Sequence, residues 1–180
     1  MRLKTTFSII ALAILLGAVA CKENTTTPSG NTADSNQPVA SKTPGPLPDR
    51  AFRAQLAFKD APAKLRAGQK ETIVVRVKNA SDVLWWARGG EINDSPSNKF
   101  YIALGDLWLH EDGKLLTEMD GRIGLPKDLR PGEEVEVPLS ISAPTTPGNY
   151  ILEVDLVQEQ VAWFHDKGSP TARTNVTVVR

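Results

Sequence analysis

From Glu71 to Asn79 the chain alternates: Ile73, Val75 and Val77 fall on one face, and Thr72, Arg76 and Lys78 on the other. That period of two predicts a half-buried β-strand. Glu134 to Ser142 repeats it, with Val135, Val137, Leu139 and Ile141 inward and Glu134, Glu136 and Ser140 outward. Pro138 in the outward set points to an edge position or a bulge. Tyr150, Leu152, Val154 and Leu156 form a third inward set, and the β-branched run from Thr174 to Val179 forms a fourth through Val176 and Val178. Arg53 to Phe58, Val83 to Trp86 and Tyr101 to Leu109 are weaker strand candidates. Asp112-Gly113, Pro131-Gly132, Pro147-Gly148 and Lys167-Gly168 supply turns between these runs. No stretch sustains an i, i+3, i+4, i+7 apolar pattern, which argues against a helical domain. About seven short strands in residues 51–180 predict an all-β, antiparallel β-sandwich.

The first fifty residues follow neither pattern. Met1-Arg2-Leu3-Lys4 gives a short positive start, and Phe7 to Ala20 is apolar except for Ser8. At about 1.5 Å per helical residue this run is too short for the roughly 30 Å hydrocarbon layer, so it reads as a signal peptide over residues 1–20. It closes on Ala18-Val19-Ala20-Cys21, which resembles the lipobox of bacterial lipoproteins, although Ala18 stands where Leu is usual. The resemblance makes Cys21 the lipid-attachment residue and the mature N-terminus. The alternative is an ordinary A-x-A secretory site that leaves Cys21 as a free thiol. Several acyl chains, at about 0.8 kcal/mol per buried methylene, would hold the mature chain stably to a membrane. Lys22 after the cysteine, by resemblance to sorting in Gram-negative bacteria, implies the outer membrane. Lys22 to Pro48 carries five prolines, five threonines and only Ala33, Val39, Ala40 and Leu47 as apolar residues. It is expected to be a disordered spacer, and residues 21–50 as a whole form the lipid-anchored flexible linker.

Charge and composition then remove several function classes. Lys plus Arg and Asp plus Glu each total 21, and with no block of like charge the chain offers no footprint for a nucleic acid. A single cysteine excludes an internal disulfide framework and a CxxC redox motif. His110 and His165 lie in no local metal-binding spacing, so a metal site would have to be assembled from His110, Asp112, His165 and Asp166 across loops. Neither a GxSxG elbow nor a Gly-rich phosphate loop is present; Glu111-Asp112 and Glu133-Glu134 read as surface charge, and Gly89-Gly90 as a turn. The expectation is a protein that is not an enzyme and uses no cofactor or metal.

The segment PGEEVEVPLSISAPTTPGNYILEVDLVQEQVAWFHDKGSP, with VKNASDVLWW and DGRIGLPKDLRPGE upstream, resembles the immunoglobulin-like accessory domain appended to bacterial glycosyltransferases and other surface-polysaccharide proteins. The resemblance spans roughly residues 70–179 and implies an immunoglobulin-like sandwich. It places Asn79 at the turn out of the second strand and makes Trp85 the buried tryptophan of the third. It also has Tyr150 open the strand after Pro147-Gly148, and matches Trp163-Phe164 to an aromatic pair after that strand. Tyr150 further suits a tyrosine corner, its hydroxyl reaching back to the preceding connection. No glycosyltransferase or methyltransferase domain accompanies the module here, so no catalytic role is implied.

The large aromatic side chains are the remaining chemical lead. Neighbouring strand residues face opposite ways, so if Trp85 is buried Trp86 faces out, and Trp163 and Phe164 divide likewise. If Leu107 and Leu109 are core, Trp108 also faces out. Trp86, Trp108 and Trp163 are thus the candidate ligand-binding residues, because exposed rings beside polar side chains suit the apolar C–H face and hydroxyl rim of a sugar. Alternatively, Trp86 and Trp108 cover the far side of a sheet beneath the loop of residues 87–99. The expected function is a non-catalytic, lipid-anchored binding module of the cell envelope, with polysaccharide as a candidate ligand. The second reading is a structural or assembly lipoprotein that pairs with a protein partner through its sandwich edge.

Overall fold

The structure, a computed structural model, describes residues 43–93 and 95–180, apart from the side chains of residues 117–120. The expected signal peptide, Cys21 and most of the expected linker lie outside the described residues.

Nine strands form two sheets. The first has the order β1-β3-β6, from Ala54–Phe58, Lys70–Asn79 and Glu134–Ser142, all antiparallel. The second has the order β2-β9-β7-β4-β5, from Lys64–Arg66, Ala172–Val179, Gly148–Gln158, Ile102–His110 and Leu115–Gly124. The two-residue β8, Ala162–Trp163, pairs with the end of β7. Among the described strand pairs only the short β2–β9 pair is parallel. This is the expected immunoglobulin-like β-sandwich, all-β and almost wholly antiparallel.

The alternation read from the sequence places the core. Ile73, Val75 and Val77 of β3 and Val137, Leu139 and Ile141 of β6 are buried against Leu152, Val154 and Leu156 of β7 and Val176 and Val178 of β9. Pro138 does fall on an edge strand, since β6 has no further neighbour in its sheet, and the missing N–H is tolerated there. The Tyr150 hydroxyl donates to Thr146 O at 2.9 Å, forming the expected tyrosine corner.

The expected strand at Val83–Trp86 is replaced by a single bridge, Trp85 to Leu129, within a long connection. The cause is local. Buried Asn79 turns the chain by donating to Val83 O and Leu129 O and accepting from the backbone N–H and hydroxyl of Ser81. Trp85 is nevertheless wholly buried, as expected; its indole N–H donates to Ala51 O at 3.0 Å and its ring meets Phe164 edge-on at 5.1 Å. Phe52 packs on the same Phe164 ring at 5.0 Å, giving an aromatic cluster at one end of the core.

The fold also takes in the last residues of the expected linker. Gln158, fully buried, accepts from Leu47 N–H and donates to Gly45 O, both at 2.9 Å, and Leu47 packs against the core. Bonded structure therefore begins by Gly45, ahead of the expected boundary at residue 51. Among the described residues no helix is long and apolar enough to cross a membrane.

Candidate functional site

Strand β4 decides which aromatic residues are available to a ligand. Its residues Ile102, Leu104 and Trp108 point into the sandwich, while Ala103 joins a separate cluster on the outer face of the sheet. Trp108, expected on the outside, is fully buried, with its ring edge-on to Tyr150 at 6.4 Å. The expectation took Leu107 and Leu109 as core, and that parity is inverted. The outer face of β4 is itself partly covered, leaving Leu109 only 5% exposed, so apolar character does not separate the two faces. Among the described residues no acceptor meets the buried indole Nε1 of Trp108.

Trp86 and Trp163 are both half-buried. Trp86 sits in the connection before β4, its carbonyl accepting from Ile102 N–H. Trp163 lies on the outer face of the second sheet, where β8 sets it opposite Val157 and the clustered side chains of Ile92, Ala103 and Tyr101 adjoin it. No aromatic ring contact links Trp86 to Trp163 or Trp108 among the described residues. The three candidate rings thus do not form one face. The loop of residues 87–99 does cover part of the sheet, as the alternative held, but it covers Ala103 and Val157 through Ile92 and not Trp108.

Around Trp163 the sheet is built to receive a ring. Gly105 lies beneath the indole; a β-carbon there would stand 3.0 Å from Cη2 of Trp163, so glycine lets the ring approach the strand. His165 stacks against the same indole, with centroids 6.2 Å apart and planes inclined by 30°. His165 Nδ1 is 2.7 Å from Asp155 Oδ2, and its backbone N–H donates to the same oxygen at 3.1 Å. Asp155 Oδ1 accepts from Leu156 N–H at 2.8 Å, so the wholly buried carboxylate fixes the connection after β8 to β7. Burial pushes the Asp155 carboxyl above its ordinary range, and the bonds from His165 and Leu156 offset only part of that. The exposed edge of His165 carries Nε2, 3.3 Å from Asp166 Oδ1.

Two further ion pairs cross this face. Arg122 on β5, in register with Gly105, reaches Glu159 at 2.8 Å, and both side chains are largely covered. Arg173 on β9 meets Glu153 on β7 at 2.9 Å. A half-covered aromatic ring is therefore framed by an imidazole, carboxylates and guanidinium groups within one sheet.

His110 takes no part. It pairs with Tyr150 on β7 while Trp163 pairs with Val157, and seven residues of strand separate these positions, about 23 Å. The loop-assembled metal set of His110, Asp112, His165 and Asp166 is not brought together, and among the described residues no group of three His, Cys, Asp or Glu side chains is placed to hold a metal. Asp155 was missed by the sequence reading, which left it between two inward-facing residues without a role. The outward phase of β7 that it shares with Glu153 was the available signal.

No family model matches the chain, and no curated protein does. Solved structures similar to it include the CARDB domain of a Pyrococcus furiosus protein in complex with di-metal ions, 16% identical over 71% of this chain and 91% of that one, with a TM-score of 0.41. A Listeria innocua β-glucosidase in complex with glucose is 15% identical over 71% of this chain but only 16% of its own, at 0.40. The sporulation control protein Spo0M from Bacillus subtilis is 14% identical over 71% of this chain and 49% of its own, also at 0.40. The metal ions and the glucose belong to those proteins.

Proposed function

We propose that the chain is a non-catalytic binding module of the bacterial cell envelope, anchored through Cys21, that takes saccharide on the outer face of its larger sheet. One observation carries this reading: the half-buried Trp163 ring rests on the outer face of the sheet, its Cη2–Cζ3 edge against Gly105, with His165 stacked beside it and charged side chains on the same sheet. A half-exposed ring supplies apolar contact for sugar C–H groups, and the polar frame supplies partners for hydroxyls. Of the three candidate rings, Trp163 lies on this surface, Trp108 is buried in the core, and no ring contact joins Trp86 to Trp163 among the described residues.

The test is titration of the segment 43–180 with envelope polysaccharides, followed by tryptophan fluorescence. Among the described residues the core runs from Leu47 to Val178, all of it within this segment. Trp163→Ala should weaken binding about tenfold or more while its melting curve moves little. Equal affinity of a folded Trp163→Ala variant, or no binding by the parent at millimolar ligand, overturns the reading.

A second reading, an assembly lipoprotein with a protein partner, draws on Leu115 and Leu116, which are 47% and 39% exposed at the β4–β5 hairpin. Loss of partner capture in a Leu115→Ser/Leu116→Ser variant, with glycan binding absent in the parent, would favour it.

A further inference from the structure

The outer face of the larger sheet does not end at Arg122. Beyond β5 the two sheets meet edge to edge, and Gly121 approaches β6 so closely that a β-carbon would stand 1.9 Å from Ser140 O. Beside this contact a cleft of about 350 Å³ opens, within the range that holds small ligands. Its β3–β6 wall is ordered by register, with Lys70 opposite Ser142, Thr72 opposite Ser140, and Pro138 next along β6 in the outward phase. The side chains of Lys70, Thr72, Ser140 and Ser142 make no hydrogen bond or ion pair among the described residues. Glu91 and Ile123 complete the rim.

The chemistry of this lining is specific in kind. Among the described residues of the cleft, Lys70 and Glu91 are of opposite charge, and Arg122 pairs with Glu159. The described lining offers hydroxyls, one ammonium, one guanidinium and one carboxylate, together with the apolar Pro138 and Ile123. That set suits a neutral polyhydroxyl ring better than an anion or an apolar peptide.

The cleft also lies in line with Trp163. Trp163 covers β4 at Gly105, Arg122 is the register partner of Gly105 on β5, and the cleft follows on the far side of β5. Two strand spacings separate ring and cleft, roughly 10 Å, which is longer than one pyranose. We infer that these form one track, so that the domain grips an internal stretch of a polysaccharide chain: one unit stacks on Trp163, the chain passes Arg122, and a later unit sits in the Lys70–Thr72–Ser140 cleft. This inference rests on the saccharide reading above and adds the length and direction of the ligand.

The test uses the segment 43–180 and saccharide ladders, monosaccharide to octasaccharide, prepared from exopolysaccharide and from peptidoglycan strands, with affinity read by calorimetry. Affinity should climb with length to about three units, enough to span roughly 10 Å between ring and cleft, and then level. The Thr72→Val/Ser140→Ala variant should lose about fivefold or more for the longer saccharides and nothing for the monosaccharide. Lys70→Gln, at an exposed position, should act in the same direction and guards against a folding defect in the double variant. Trp163→Ala should weaken every length. Length-independent affinity, or a folded cleft variant that binds the tetrasaccharide like the parent, overturns the track while a persisting Trp163 effect leaves the saccharide reading standing. No binding at any length at millimolar ligand overturns both.

Discussion

Of the four tryptophans, Trp85 and Trp108 are wholly buried and Trp86 and Trp163 are half-buried. For Trp85 and Trp86 the division was legible, because adjacent residues cannot enter the same core and the resemblance put Trp85 inside. For Trp108 it was not. The run Ile102-Ala103-Leu104 through Leu107-Trp108-Leu109 is apolar in both phases, since β4 is covered on both faces, and a strand of that kind gives alternation nothing to act on. Trp85→Ala and Trp108→Ala should each cost about 3 to 5 kcal/mol, and Trp86→Ala much less. A finer comparison separates the two core rings. Trp85→Phe loses the bond to Ala51 O, whereas Trp108→Phe removes a buried N–H that has no acceptor among the described residues, so the second should be the milder change in denaturant melts. Equal losses from the two phenylalanine variants would show that the buried N–H of Trp108 carries no penalty.

At the level of elements, β3, β6 and β9 were legible because each has one buried and one largely solvated face, and β7 because Glu153 and Asp155 on its covered outer face are polar. The strand β5 was not: its pairing with β4 carries register shifts, and its glycine at 121 serves the approach to β6, so neither period nor propensity marks it. The tie between β7 and the 165–168 turn was hidden for a different reason, since Asp155 and His165 are brought together by the hairpin and not by spacing. That tie has a pH signature. The Asp155 carboxyl lies above 3.8 when folded, chiefly because it is buried, so between 3.8 and its folded value the native state binds more protons than the unfolded chain. Its contribution to stability therefore declines as pH rises through that window. Asp155→Asn cannot titrate, and its stability relative to the parent should improve across the same interval in denaturant melts. A difference that stays constant with pH would mean that the His165 contacts cancel the effect of burial.

Across the whole molecule, the part of the chain that reaches the sandwich is fixed at a definite place. Gly45 and Leu47 are held by Gln158 at the end of β7, next to Val157 and its partner Trp163, whereas Leu115 and Leu116 follow the hairpin beyond His110, which pairs with the other end of β7. The proposed saccharide face thus adjoins the point where the spacer joins, and the exposed leucines lie away from it. The proposed acyl acceptor, Cys21, lies apart in sequence from the described core, which runs from Leu47 to Val178. Cys21→Ala should consequently abolish acyl labelling and leave the precursor uncleaved or the product released from membranes. The melting transition of the sandwich should be unchanged, since no residue of its core is touched. Membrane fractionation with labelled fatty acid checks this: retention of the variant in the outer membrane with its label intact would remove Cys21 as the anchor and place the attachment elsewhere in the chain.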